Sequence, residues 1–255
     1  MYTLGVVSYL NTLPLYRTLE TSDKVKIIRV VPSGLAALLE KGECDVAMMP
    51  IIDHLRGVGD GIVGNGCIGA TGAVRSVRMH ANMPPQQIKT VAADTSSHTS
   101  VALLHVLLQD LYGINPQFVD HAPDLQQMLA RCDGALIIGD TALEIAESPL
   151  KSTFMLDLAE AWQQLTGLSF VFAAWIARRS LSDAQKVELA ELLNAAREEG
   201  VANLEQIVRE NPIPTTMNQA QIYEYLSHSI EFTMTPSHRE GIEEFRRRAQ
   251  AHQLL

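Results

Sequence analysis

The sequence predicts an α/β fold in two lobes, with the second lobe inserted into a discontinuous first one. Three observations carry this expectation. Apolar strand-like runs alternate with helical patterns at the start of the chain and again in its middle. Two extended stretches, 62–80 and 170–177, separate those blocks and read as crossovers, and beyond residue 180 the pattern turns wholly helical. The 255 residues, 47% hydrophobic and 19% charged, are enough to bury such a core.

Strands are expected at 3–7, 25–31 and 45–49, with a helix at 33–41 whose Leu35, Leu38 and Leu39 share one face. Residues 62–80 are glycine-rich and extended. The middle block then gives a strand at 88–93 and a helix at 98–111 that aligns Val101, Leu104, Leu108 and Leu111. A strand at 116–120, a helix at 124–130 and a strand at 135–138 complete a mainly parallel sheet covered on both faces. Asp140 reads as the N-cap of a helix at 141–147 ahead of a catalytic acid. In the tail, Ser182 caps a helix carrying Val187, Leu189, Leu192 and Leu193, and helices at 218–230 and 237–251 follow without further strands. The last opens with Ser237-His238-Arg239-Glu240, the spacing of a capping box. The expected division is 1–75 with 174–255 as the first lobe and 76–173 as the second, with a ligand cleft between them.

A net charge of −9 argues against nucleic acid or an anionic membrane as partner. An anionic ligand would have to be held by local devices such as helix N-termini. Cys44, Cys67 and Cys132 are odd in number and lack a CxxC spacing, so they read as reduced packing residues. The first seven residues carry no basic signal-like segment and no apolar run reaches membrane-spanning length, which places the protein in the cytosol. Eight histidines show no metal-ligand spacing, and Arg246-Arg247-Arg248 reads as a solvated helix end, so no metal is expected. Trp162 and Trp175 read as core residues ahead of cleft walls. Gly64-Asn65-Gly66-Cys67-Ile68-Gly69 matches the dinucleotide pattern, but turn and strand character follows where a helix is required. Nucleotide binding is therefore rejected; the small residues serve tight turns or close approach of backbone to backbone or ligand.

The polar residues that could hold a ligand are uncharged. Asn11 ends the first strand, where open α/β sheets bind ligands, and either contacts a ligand or caps the helix ahead of Pro14. Ser97, Thr99 and Ser100 open a helix, so hydroxyls and free N–H groups converge there on a carboxylate or simply cap it. Ser76 lies on the expected crossover strand and is either a cleft residue or a plain strand serine.

Five groups of residues carry a family resemblance across 5–178. They are Ser8-Tyr9-Leu10-Asn11-Thr12-Leu13-Pro14-Leu15; the strand-like Gly72-Ala73-Val74-Arg75-Ser76-Val77; Asp94-Thr95-Ser96-Ser97-His98-Thr99-Ser100; Ile138-Gly139-Asp140; and Asp157-Leu158 with Trp162, Thr166-Gly167-Leu168 and the run Phe170 to Trp175. In this order they resemble the chorismate dehydratases of the futalosine route to menaquinone. The resemblance implies a two-lobed periplasmic-binding-protein-like (type II) fold and chorismate as the small-molecule partner, without cofactor or metal. It also implies catalytic roles for Asn11 and Ser76 and substrate binding by Ser8, Ser97, His98, Thr99 and Ser100. His98 stands where the family usually has arginine, Ala159 where it has glycine and Ser169 where it has proline. The sister family, 1,4-dihydroxy-6-naphthoate synthase, is similar in fold but opens with a Ser-Pro-Cys-Pro-Asn-Asp-type segment absent here. Two competing classes stand beside this reading: a solute-binding protein, which needs a signal peptide or lipid anchor, and another lyase acting on a cyclic carboxylate.

Overall fold

The computed structural model describes residues 1–94, 97–146 and 152–255. Its strands, in chain order, are β1 (Tyr2–Val6), β2 (Val25–Arg29), β3 (Val46–Pro50), β4 (Ile62–Ala70), β5 (Val77–Ala81), β6 (Thr90–Asp94), β7 (Gln117–His121), β8 (Gly134–Ile138), β9 (Phe154–Asp157), β10 (Phe170–Ala177) and β11 (Glu231–Thr233). They form two sheets, ordered β11-β4-β10-β3-β1-β2 and β7-β6-β8-β5-β9. The helices are α1 (Leu13–Tyr16), α2 (Leu35–Glu40), α3 (Ile51–Leu55), α4 (His98–Tyr112), α5 (Leu125–Arg131), α6 (Gly139–Ala146), α7 (Leu158–Thr166), α8 (Asp183–Ala202), α9 (Leu204–Arg209), α10 (Gln219–His228) and α11 (Pro236–Ala251).

Both sheets are mixed, not mainly parallel. In the first, β1 runs parallel to β2 and β3, while β10 is antiparallel to β3 and β4. In the second, β6 runs parallel to β7 and β8, and β5 is antiparallel to β8 and β9. The parallel pairs are those joined by helical crossovers, as βαβ geometry requires. The antiparallel pairs involve the strands at which the chain leaves one sheet for the other, after β4 and before β10.

The expected strand at 72–77 is instead a turn as far as Ser76. Gly72 has φ +90° and Arg75 φ +65°, neither of which a β ladder accepts, and only Val77 joins β5. Asp157 holds this turn, accepting from the N–H groups of Val74 (3.0 Å) and Arg75 (2.7 Å) while capping α7. The glycine decoy lies on β4, where a Cβ on Gly66 would come within 3.2 Å of Trp175 and one on Gly69 within 2.6 Å of His238. Close packing by side chains explains those glycines.

The tail is not strand-free, because β11 adds to the edge of the first sheet beside β4. It docks tightly: a Cβ on Gly200 of α8 would meet the Pro14 carbonyl oxygen at 2.0 Å, and one on Gly241 of α11 the Ser169 carbonyl oxygen at 2.0 Å. Leu189 and Leu193 of α8 are buried, whereas Val187 is 59% exposed. The last helix is capped by Thr235, whose N–H and hydroxyl lie 3.3 and 2.8 Å from His238 Nδ1; Ser237 instead bonds Ser169. Trp162 and Trp175 are fully buried, and Trp162 stacks edge-on against Phe170 and Phe245. The resemblance motif residues Thr95 and Ser96, and residue 147 of the expected helix at 141–147, lie outside the described residues.

Candidate active site

Asn11 sits on the short turn Leu10–Thr12 beyond the carboxyl end of β1. It does not cap α1. Thr12 occupies that position, and the Asn11 amide turns elsewhere, its Nδ2 donating to the Tyr225 hydroxyl at 3.1 Å. Tyr225 comes from α10, is 1% exposed, and donates in turn to Ser76 Oγ at 2.8 Å. Ser76 is itself fixed at the main chain. Its N–H donates to the Val74 carbonyl at 2.8 Å and its carbonyl accepts from the Gly139 N–H at 2.7 Å. Burial pushes the Tyr225 phenol well above its ordinary pKa, so it keeps its proton at neutral pH.

The opening of α4 supplies a second set of hydroxyls. Ser97 is the N-cap, accepting from the Ser100 N–H at 3.3 Å and donating to Ser100 Oγ at 2.7 Å. Thr99 Oγ1 accepts from the Ile52 N–H at 3.3 Å. Ser97 therefore does the capping, and among the described residues neither the Thr99 nor the Ser100 hydroxyl donates a hydrogen bond. Both of those residues are 2% exposed.

Asn11, Ser76, Ser97, Thr99 and Ser100 line one cavity, walled otherwise by apolar groups including Val7, Met48, Ile68, Val74, Ile138 and Phe172. Tyr9 and Gly139 complete its polar edge. No carboxylate, histidine, lysine or arginine is among the described lining residues. Such a site offers neutral donors among apolar walls, where each is worth more than it would be in bulk water.

Two expected substrate-binding residues fall elsewhere. Ser8 is exposed and does not line the cavity. His98 faces a neighbouring, more polar cavity with Arg56 and Asp94, and its Nδ1 lies 2.9 Å from both carboxylate oxygens of buried Asp53. That bond raises its pKa, against opposing desolvation. Asp140 is in the first turn of α6 and not at its N-cap, because Gly139 already begins the helix. Its carboxylate reaches across to the Leu10 N–H at 3.3 and 3.4 Å, and burial raises its pKa to about 7. Tyr225 was not anticipated. It lies in the tail, and its helical face with Ile222 and Leu226 gives the signal of ordinary packing.

Solved structures of the same shape share little sequence. Protein AF1704 from Archaeoglobus fulgidus superposes with a TM-score of 0.78 at 14% identity, covering 100% of this chain and 98% of that one. The Candida albicans CA3427 gene product, described as having the generic periplasmic binding protein fold, gives 0.71 at 13% identity over 100% and 90% of the two chains. The fold is therefore that of the periplasmic-binding-protein-like α/β proteins, and the polar groups lining its cavity are uncharged. The sequence profile of the menaquinone biosynthesis family matches residues 2–251, and the chain belongs to that family. A chorismate dehydratase of Thermus thermophilus is 31% identical over 221 residues, covering 81% of this chain and 80% of that protein.

Proposed function

We propose that this protein is a chorismate dehydratase, a carbon–oxygen lyase that removes water from chorismate to give 3-[(1-carboxyvinyl)oxy]benzoate, the first step of futalosine-dependent menaquinone biosynthesis. What carries the reading is the 31% identity to the Thermus thermophilus enzyme across four-fifths of both chains. The cavity supports it. Chorismate loses its C3 proton and C4 hydroxyl, and the ring becomes aromatic. The C3 carbanion conjugates through the diene to the ring carboxylate, so donors around that carboxylate stabilise the developing charge. Thr99 and Ser100 at the α4 opening anchor a substrate carboxylate in this reading, with Asn11 and Ser76 at the reacting carbons.

The cavity holds no ionisable side chain able to serve as base near neutrality among its described lining residues. The enolpyruvyl carboxylate of chorismate is tethered beside the C3 proton and takes that role, with proximity replacing a protein base. The lobes, drawn at 1–75 with 174–255 and at 76–173, close over the ring and exclude water. Cys44, Cys67 and Cys132 are free thiols, which supports a reducing cytosolic setting. No described helix is long and apolar enough to cross a membrane. Mixing the protein with chorismate and following the aromatic product by absorbance and mass tests the assignment. Chorismate left unconsumed by folded protein would overturn it.

A further inference from the structure

The Asn11–Tyr225–Ser76 chain fixes more than position, because a phenol has one proton and can use it once. Tyr225 Oη accepts from Asn11 Nδ2 at 3.1 Å and donates to Ser76 Oγ at 2.8 Å. Two loose ends follow. Asn11 is 8% exposed, yet its Oδ1 is buried without a partner among the described residues. Ser76 Oγ has accepted a proton, and its own has no acceptor among the described residues. Both side chains line the cavity. A buried, unpaired acceptor is costly and is rarely left so in a folded protein without a reason.

We propose that Tyr225 is a positioning residue that sets the polarity of the site, presenting Asn11 as an acceptor for a substrate hydroxyl and Ser76 as a donor. This rests on the chorismate reading for its substrate and deepens it. An acceptor oxygen repels a carboxylate and suits a hydroxyl, so Asn11 Oδ1 faces the C4 hydroxyl of chorismate. Ser76 then hydrogen-bonds the same oxygen as its bond to C4 breaks and keeps its own proton; the departing hydroxide and the proton taken from C3 by the enolpyruvyl carboxylate together make the water released. The reverse polarity, with Asn11 Oδ1 accepting from Tyr225 and Tyr225 accepting from Ser76, would consume the serine proton and leave the departing hydroxyl without it. The Ser76 main chain is held by Val74 and Gly139, Asp157 holds the preceding Val74 and Arg75, and α10 has its own capping box between Asn218 and Gln221. Removing the phenol oxygen alone therefore alters polarity ahead of structure.

The test pairs Tyr225→Phe kinetics on chorismate with neutron diffraction from deuterium-exchanged wild-type crystals without ligand. The variant should lose about tenfold or more in kcat, with KM changed less than about threefold, as for an interaction made in the transition state. The neutron map should place deuterium from Tyr225 Oη toward Ser76 and from Asn11 Nδ2 toward Tyr225. Wild-type kcat in the variant, or a loss confined to KM, would overturn the inference while leaving the dehydratase assignment standing. Reversed deuterium positions would also overturn it. A wild type inert toward chorismate would sink the assignment, and the neutron map would still decide the polarity.

Discussion

On one side of the cavity, Ser97, Thr99 and Ser100 come from four consecutive residues that open a single helix. In the other polar group, Asn11 and Ser76 meet through Tyr225, which lies 214 residues from one and 149 from the other. The first group is encoded locally, by a capping serine and free helix N–H groups. The second exists only after the helical tail has docked on the first sheet. The proposed division of labour follows that difference. The local group anchors a carboxylate, which tolerates modest errors of position, whereas the assembled group acts at the reacting atoms, where small displacements cost rate.

The largest expected effect breaks the assembled group. Asn11→Ala should lower kcat about a hundredfold or more with little change in KM, as for a lost transition-state contact. Thr99→Ala and Ser100→Ala should do the reverse. Each removes one charge-assisted bond worth about 1.5–3 kcal/mol, raising KM by up to roughly a hundredfold while kcat falls less. Steady-state kinetics with chorismate on the three variants read both effects. If all three moved kcat and KM together, the two groups would not differ in role and the comparison would fail.

What was legible in the sequence follows the same line. Alternating strands and helices and the α4 opening are local patterns, and Ser97 caps α4 as the sequence suggests, whereas Asn11 ends the first strand without capping the helix that follows. The turn at 72–76 is not legible locally, because Ala73, Val74 and Val77 have strand propensity while the deciding facts are the positive φ of Arg75 and its clamp by Asp157, 82 residues away. Strand β11 was missed because three residues give no period and depend on the edge of β4. Tyr225 is the clearest case, since a buried helix tyrosine is identical in pattern to a core residue until its hydroxyl partners are known.

A separate effect, read in stability and not in rate, concerns Asp140, whose carboxylate accepts from the N–H of Leu10, the residue before Asn11. Its folded pKa, raised to about 7 by burial, exceeds the unfolded value near 3.9. The folded state therefore holds a proton that the unfolded state has released across that window, and stability falls as pH rises from about 4 to about 7. Asp140→Asn removes this slope, keeps an acceptor for Leu10, and should be worth up to roughly 4 kcal/mol more relative to wild type at pH 8 than at pH 4. Urea unfolding across that range checks it. Parallel pH profiles for the two proteins would show that Asp140 titrates normally.

The smallest effect is expected at His98, which sits on the α4 opening yet turns away from the cavity toward Asp53. Its neighbours are mixed in sign, with Arg56 opposing the Asp53 bond that raises its pKa. A histidine raised in the folded state contributes stability that is fully present below the unfolded value of about 6.5 and is lost as pH rises through the folded one. His98→Ala should therefore destabilise the protein more at pH 5.5 than at pH 8.5. The size should be modest, because the side chain is 36% exposed and solvent screens the pair. Turnover should persist, with KM changed by less than about twofold, since no bond to the anchored carboxylate is removed. A KM raised as far as in Thr99→Ala would make His98 part of the local anchor, occupying functionally the place where the family usually carries arginine. The pH dependence of stability alone, without a change in KM, would fix it as a brace between α3 and α4.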